Sequence, residues 1–389
     1  MKEKKFLKKY HQEHLLQFWA TLSDVEKKNL KKQISELPLA KMQRIYINSY
    51  RDEIINGKKI NPLKVYSDKD LALAELGETF IQNYALITLS GGSGSRFGYS
   101  KAKGTYPFLI NGKETSMFQI EAEKLQEIFK KYEVYIPWYI MTSEKNNQEI
   151  KEFFEAKKYF GYPQEKIIFF KQKSLPILNI HGKLVLKSPS EILYASDGNG
   201  SIFQILKKSN ILKQLQEKRI KYVQVINIDN ILAKLFDPMF IGLMAKNNYL
   251  VGAKTLYKKD PNTNEYVFLK YKNHPFLCNV NTISSLENKK EYRDTFSGIS
   301  IFHIDALKKL QNIPLRYHRA YKAYSFYEPN GNFIKSDEKN SFKFEKFIFD
   351  GFFHFKDMLI YRVNEDEFLP VKNQEDLQKG IKILEGKNK

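Results

Sequence analysis

The chain has 389 residues, 42% of them hydrophobic and 14% aromatic, which excludes a disordered polymer and is enough for a large α/β domain with appendages or for two domains. Its formal net charge is +20, yet only eight of its 64 basic residues are Arg and no basic run is interleaved with stacking aromatics. The charge is therefore read as a compositional bias that also suits a small anionic substrate, and not as a nucleic-acid footprint. No apolar run approaches the ~20 residues needed to span a bilayer. The lysine-rich start leads into an amphipathic segment and Cys278 is alone, so a cytoplasmic protein without disulfides, thiolate metal sites or membrane partners is expected.

Residues 1–80 read as a helical arm. Leu15, Phe18, Trp19, Leu22, Val25 and Leu30 fall at helical spacing, and Ser23-Asp24-Val25-Glu26 has the form of a helix start. From Tyr84 onward apolar runs alternate with amphipathic segments. Strands are expected over 85–89, 134–141, 167–170, 222–228 and 250–256, and helices over 117–131, 148–159, 201–218 and 238–246. That alternation predicts a largely parallel sheet wrapped on both faces, with ligands at the carboxyl ends of its strands. A hairpin over 177–186 turns at His181-Gly182, shorter strands over 266–303 suggest an antiparallel extension, and 374–389 reads as a short polar helix.

The strand at 85–89 runs straight into Leu89-Ser90-Gly91-Gly92-Ser93-Gly94-Ser95-Arg96-Phe97-Gly98, which closes at Lys103-Gly104. A glycine-rich turn directly after a buried strand can aim its amides at one ligand, and phosphate is the ligand such loops suit. A Walker loop would need Ser or Thr after Lys103, where Gly104 stands. A dinucleotide fingerprint starting at Gly92 would need glycine at Phe97.

Further along, Asp229 lies where the strand 222–228 leaves the sheet, on the same edge as the glycine loop. It either helps hold Mg²⁺ beside bound phosphates or caps a turn. Gly198 and Asn199, before the helix expected at 201, either offer backbone to a ligand or form an ordinary helix start. Gln172 could read a base edge. Lys343 lies in a segment too aromatic for an exposed loop, and Lys372 follows Glu367-Phe368-Leu369-Pro370-Val371. His303 and His318 read as structural, and no Ser, His and Asp spacing suggests a nucleophile.

Taken together, these motifs resemble the UDP-sugar pyrophosphorylase family, whose usual loop has Thr at the place of Ser95 and Pro at that of Ala102. The resemblance is nearest to the UDP-N-acetylhexosamine branch, and it extends in order through Ile136-Pro137-Trp138, Asp197-Gly198-Asn199-Gly200, Ile228-Asp229-Asn230, Asp237-Pro238, Glu345-Lys346-Phe347 and Glu367-Phe368. It implies an α/β, Rossmann-like (GT-A-like) nucleotidyltransferase: a mostly parallel sheet flanked by helices over 81–335, a helical arm over 1–80 and a small C-terminal domain over 336–389.

On that resemblance Leu89, Ser90, Gly91 and Gly92 would hold uridine, Gln172 would read uracil, and Arg96 and Lys103 would face the triphosphate. Gly198 and Asn199 would contact nucleotide and sugar, Asp229 would bind Mg²⁺, Lys343 would approach the phosphates, and Lys372 the sugar phosphate or phosphates. The implied reaction joins UTP and a sugar 1-phosphate to give a UDP-sugar and pyrophosphate. Where the family has Glu-Tyr and Asn-Ile pairs at the N-acetylhexosamine, this chain aligns Asn279-Val280 and Ser300-Ile301. N-acetylglucosamine 1-phosphate is the expected substrate, with glucose, galactose and N-acetylgalactosamine 1-phosphates left open. A UDP-glucose or broad-specificity UDP-sugar pyrophosphorylase, and a sugar-nucleotide or nucleic-acid binding module without turnover, are the alternatives.

Overall fold

Strand β1, Tyr84–Leu89, is buried along its whole length and forms the spine of the sheet that carries the glycine loop. In the computed structural model, residues 2–49, 55–56, 59–67, 70–92, 94, 97–260, 265–284 and 291–387 are described. They fall into two units, each assembled from three stretches. One comprises Met1–Glu53, Lys173–Ser201 and Leu315–Phe347, the other Ile54–Gln172, Ile202–Pro314 and Ile348–Lys389.

The larger unit is built on one mixed sheet. Its strands are β1, β2 (Trp138–Ser143), β3 (Ile167–Gln172), β4 (Tyr222–Asn227), β5 (Val251–Tyr257), β6 (Asp294–His303) and β7 (Leu359–Arg362), with Val65–Tyr66 at one edge. The order across the sheet is Val65–Tyr66, β7, β5, β6, β4, β1, β2, β3, and β6 runs antiparallel to both neighbours while the other pairings along this path are parallel. Register aligns Asn227 with Leu89, Leu89 with Met141 and Ser143 with Gln172, so the carboxyl ends of four parallel strands share one edge. Helices α1 (Met117–Tyr132), α2 (Asn147–Ala156) and α3 (Pro238–Lys246) contribute Phe118, Phe154 and Phe240 to the core.

The expected mostly parallel α/β sheet is therefore present. β2 starts only at Trp138, since the peptide preceding it runs through Pro137, which has no N–H to give a ladder. The helix expected over 201–218 is two helices, Ile202–Lys208 and Ile211–Glu217, divided at Asn210, whose φ of 63° cannot continue a right-handed helix.

A fully buried lysine ties several of these elements together. Lys254 on β5 donates to Asp237, the N-cap of α3, and to Glu367 Oε2 at 2.8 Å, while Glu367 Oε1 accepts from Lys234 at 2.6 Å. Burial works to raise both acids and lower the lysine, but the opposite charges prevail and hold the acids below and the lysine above their ordinary values.

The smaller unit packs the helices Asp24–Glu36 and Leu39–Asn48 with short antiparallel sheets around Leu30, Ile34, Met42, Leu184, Leu186 and Phe344. Ser23 and Glu26 form the capping box that their spacing anticipated. Ser341–Glu345 is the middle strand between Leu178–Asn179 and His318–Lys322, so Phe344 points into the core while Lys343 and Glu345 share the other face.

Glu121, on the buried face of α1, accepts a hydrogen bond from Thr88 Oγ1 at 2.7 Å, and Thr88 in turn accepts from Trp138 Nε1 at 2.9 Å. Burial raises its pKa from 4.5 to about 8, against the opposing effects of Thr88 and Lys124. Between those values the unfolded chain releases a proton that the folded one keeps, so Glu121 makes the fold less stable as pH rises from 4.5 to about 8. Glu121→Gln should remove this dependence. Thermal denaturation midpoints would show the variant gaining on the parent protein across that interval, and a constant difference between the two would refute it.

Candidate active site

The glycine loop is anchored at its start by hydrogen bonds from two sides. Ser90 donates its N–H to Met141 O at 2.8 Å, and Asn146 Nδ2 donates to Ser90 O at 3.1 Å. Asn146 is itself buried and fixed, its Oδ1 accepting from the Ser143 N–H at 2.7 Å and from Ser143 Oγ at 2.8 Å. The end of β2 thereby sets the path of the chain leaving β1. Gly91 lies against the carboxamide of Gln172, the last residue of β3, and a Cβ at Gly91 would stand 2.8 Å from Gln172 Oε1. The loop closes where the Lys103 N–H donates to Gly92 O at 3.3 Å.

Lys103 then reaches across to Asp229. Its ammonium lies 2.9 Å from Asp229 Oδ2, with side chains 13% and 27% exposed, so the pair is screened from most of the solvent yet open to a ligand. Asp229 is carried by the turn after β4, in which the Asn230 N–H donates to Asn227 O at 3.1 Å. The buried Asn230 side chain clasps a second segment, donating to Glu367 O at 3.3 Å and accepting from the Leu369 N–H at 2.9 Å. The Val371 N–H completes the clasp on Asp229 O at 2.9 Å, and Lys372 is the next residue. Lys372 is followed by helix α4 (Gln374–Lys387) and is exposed.

The larger unit thus brings together Leu89, Ser90, Gly91, Gly92, Gln172, Lys103, Asp229 and the chain carrying Lys372. Arg96, with Ser93 and Ser95, lies outside the described residues. Asn279 ends a strand at His274–Asn279, where its Oδ1 accepts from the Asn281 N–H at 2.9 Å. Ser300 is fully buried in the middle of β6, opposite Val225 on one side and Ala253 on the other.

In the smaller unit a second glycine turn is equally well held. Lys346 N–H donates to Asp197 O at 2.8 Å and Gly200 N–H to Lys346 O at 2.9 Å, so Gly198 and Asn199 are pinned against the strand end at 346. Gly198 has a φ of 89°, and a Cβ there would stand 2.2 Å from Lys346 O. Asp197 is buried, and burial raises its pKa despite a hydrogen bond from Ser201 and the nearby charge of Lys346. Lys343 Nζ donates to Glu345 Oε1 at 2.7 Å and to Ser196 Oγ at 3.4 Å.

Reasoning from sequence missed Asn146, and it met Asn230 and Asp197 only as members of their motifs, without these anchoring positions. The signal for each is slight: a buried amide or acid flanking a loop that already holds glycines or a carboxylate. No group of three or more His, Cys, Asp or Glu side chains able to hold a metal occurs among the described residues. Nor is any described helix long and apolar enough to cross a membrane.

Residues 39–380 match the family described as UTP–glucose-1-phosphate uridylyltransferase, and the chain belongs to it. It is 32% identical over 321 residues to the UDP-N-acetylglucosamine pyrophosphorylase of Saccharomyces cerevisiae, a match covering 78% of this chain and 65% of that protein. It is 30% identical to UDP-N-acetylglucosamine diphosphorylase 2 of Arabidopsis thaliana, over 94% of this chain and 78% of the relative. The crystal structure of uridine diphosphate N-acetylglucosamine pyrophosphorylase from Trypanosoma brucei in complex with inhibitor superposes with a TM-score of 0.75 at 25% identity, covering 96% of this chain and 81% of that one.

Replacing Asn146 by Ala would leave the Ser90 carbonyl and the Ser143 N–H without their buried partner, at a cost of about 1–3 kcal/mol. Equilibrium denaturation should show that loss, and hydrogen exchange should speed up at residues 90–94. Unchanged exchange there would mean that the glycine loop is held by something other than this amide.

Proposed function

We propose, from membership of this family, that the chain is a uridylyltransferase joining UTP and a hexose 1-phosphate, N-acetylglucosamine 1-phosphate first, to give a UDP-sugar and pyrophosphate. The observation that carries the reading is the Lys103–Asp229 pair, 2.9 Å apart where the glycine loop closes. A cation and a carboxylate side by side at a phosphate-binding edge suit a nucleotide that arrives with a divalent metal. Gln172 against Gly91 supplies the neutral donor and acceptor that a uracil edge requires.

Asp229 is a hard oxygen donor, partly open to solvent, and no cage of further acids surrounds it among the described residues. That fits Mg²⁺, which is commonly held by one or two carboxylates with phosphate oxygens and waters completing its shell. When bound, Mg²⁺ would neutralise charge on the phosphate oxygens. Lys103, turned from Asp229 to the nucleotide, would hold the negative charge of the triphosphate, and we assign Arg96 and Lys372 to phosphate as well. For Gly198, Asn199 and Lys343 the assignment to nucleotide, sugar and phosphate rests on the resemblance, as does that of Asn279 to the sugar, whereas Ser300, fully buried between Val225 and Ala253, is not assigned there.

The reaction asks little else of the protein. An ionised oxygen of the sugar phosphate forms a bond to the α-phosphorus, the bond to the bridging oxygen breaks, and pyrophosphate leaves with that electron pair. No proton has to be removed, so a site of amides and lysines without a nucleophile is sufficient. The lone, buried Cys278 accords with a reducing, cytoplasmic setting.

With UTP, Mg²⁺ and a panel of hexose 1-phosphates, pyrophosphate release is expected to be fastest with N-acetylglucosamine 1-phosphate and to stop on chelation of the metal. A preference for glucose 1-phosphate would instead favour the substrate in the family's description, and no release with any sugar would end the enzyme reading. Lys103→Ala should lower kcat/KM by about 100-fold, mainly through kcat. A binding module without turnover would show only weaker UTP binding.

A further inference from the structure

The boundary between β4 and β6 carries a feature that the reaction above does not use. The β4–β6 ladder pairs Tyr222 with His303 and continues to Val225 with Ser300, where it stops two residues short of the end of β4. On the other side of β6, Ala253 pairs with Ser300 and Thr255 with Phe296, so Ser297, Gly298 and Ile299 stand opposite Lys254 alone. This is a bulge, and bulges re-aim side chains at sheet ends. Gly298 there has a φ of 79° and is half-exposed.

The side chain that uses this space is Asn227, the last residue of β4. A Cβ at position 298 would stand 2.7 Å from Asn227 Nδ2, so the carboxamide lies directly over the glycine. Asn227 is half-exposed and makes no side-chain hydrogen bond among the described residues. The polar side chains around it are engaged or enclosed. Ser297 Oγ donates to Lys254 O at 2.8 Å, Lys254 is bound to Asp237 and Glu367, and Ser300 is fully buried. Asn227 is also two residues before Asp229 and level with Leu89, where the glycine loop begins.

We infer that Asn227, seated over Gly298, is a specificity residue that hydrogen-bonds the sugar of the sugar 1-phosphate and of the UDP-sugar product. The inference rests on the uridylyltransferase reading. A carboxamide offers two donors and an acceptor without charge, which suits hydroxyl or acetamido groups better than phosphate. The phosphate-facing groups on this edge, Lys103 and Asp229, are already charged, leaving a neutral reader for the neutral part of the substrate. Ser300 cannot serve as that reader from the middle of the sheet. The bulge instead puts a half-exposed glycine just past the last pair that β6 makes with β4 and leaves the space to an amide from that neighbouring strand.

The test compares binding of UDP-N-acetylglucosamine, UDP-glucose and UDP by calorimetry, with Mg²⁺ present, to the parent protein and to Asn227→Ala and Gly298→Ala. Asn227→Ala should weaken one or both UDP-sugars by about three- to tenfold and leave UDP unchanged, as expected for one lost neutral hydrogen bond. Gly298→Ala, whose added methyl displaces the amide, should shift the same ligands in the same direction. Unchanged binding of both UDP-sugars to Asn227→Ala, or equal weakening of UDP, overturns the inference. If the parent protein binds UDP but no UDP-sugar more tightly, the sugar contact fails while the nucleotide site stands. If it binds none of the three, the underlying reading fails and this inference with it.

Discussion

The candidate site depends on an opposition of charge between two loops that leave adjacent parallel strands. Lys103 returns from the glycine loop after β1 and Asp229 emerges from β4, and the register that sets Asn227 beside Leu89 brings the two within 2.9 Å. As an ion pair still partly open to water it contributes on the order of 1 kcal/mol, too little to hold the fold. The sheet and its apolar core do that, and the pair is placed by them. It holds a cation and an anion side by side at an edge where phosphate and metal could each take one of them.

Around that pair the backbone is fixed from three directions. Asn146 ties the start of the glycine loop to the end of β2, the Lys103 N–H ties its close to Gly92, and Asn230 with the Val371 N–H ties the Asp229 turn to the segment before Lys372. That segment is in turn anchored by Glu367 on the buried Lys254. Preorganisation of this kind matters for a reaction in which positioning and electrostatics do the work and no covalent intermediate is needed.

Much of this was legible in the sequence because the signals are local. A buried strand followed by glycines, a carboxylate at a strand end and a capping box each depend on a few neighbouring residues, and the strands and helices of the larger unit lie close to where periodicity puts them. What was not legible depends on residues far apart. The boundaries read at 80 and 335 follow the chain, whereas each compact unit is assembled from three separated stretches. The break at Asn210 turns on a single left-handed residue inside an otherwise helical pattern. The buried Lys254, Asp237 and Glu367 each look like surface charges until the fold gathers them. The bulge at Ser297–Ile299 breaks the two-residue alternation of β6, so counting along the strand does not tell that Ser300 is enclosed while Gly298 is half-exposed.

The most direct test of this account is a calorimetric titration of UTP into the parent protein and Asp229→Asn, each with and without Mg²⁺. If Asp229 holds the metal that accompanies the nucleotide, Mg²⁺ should strengthen UTP binding to the parent protein, and Asp229→Asn should lose most of that gain while still binding UTP in its absence. An equal response of both proteins to Mg²⁺ would contradict the account, because the Lys103–Asp229 pair would then have no part in receiving the nucleotide with its metal.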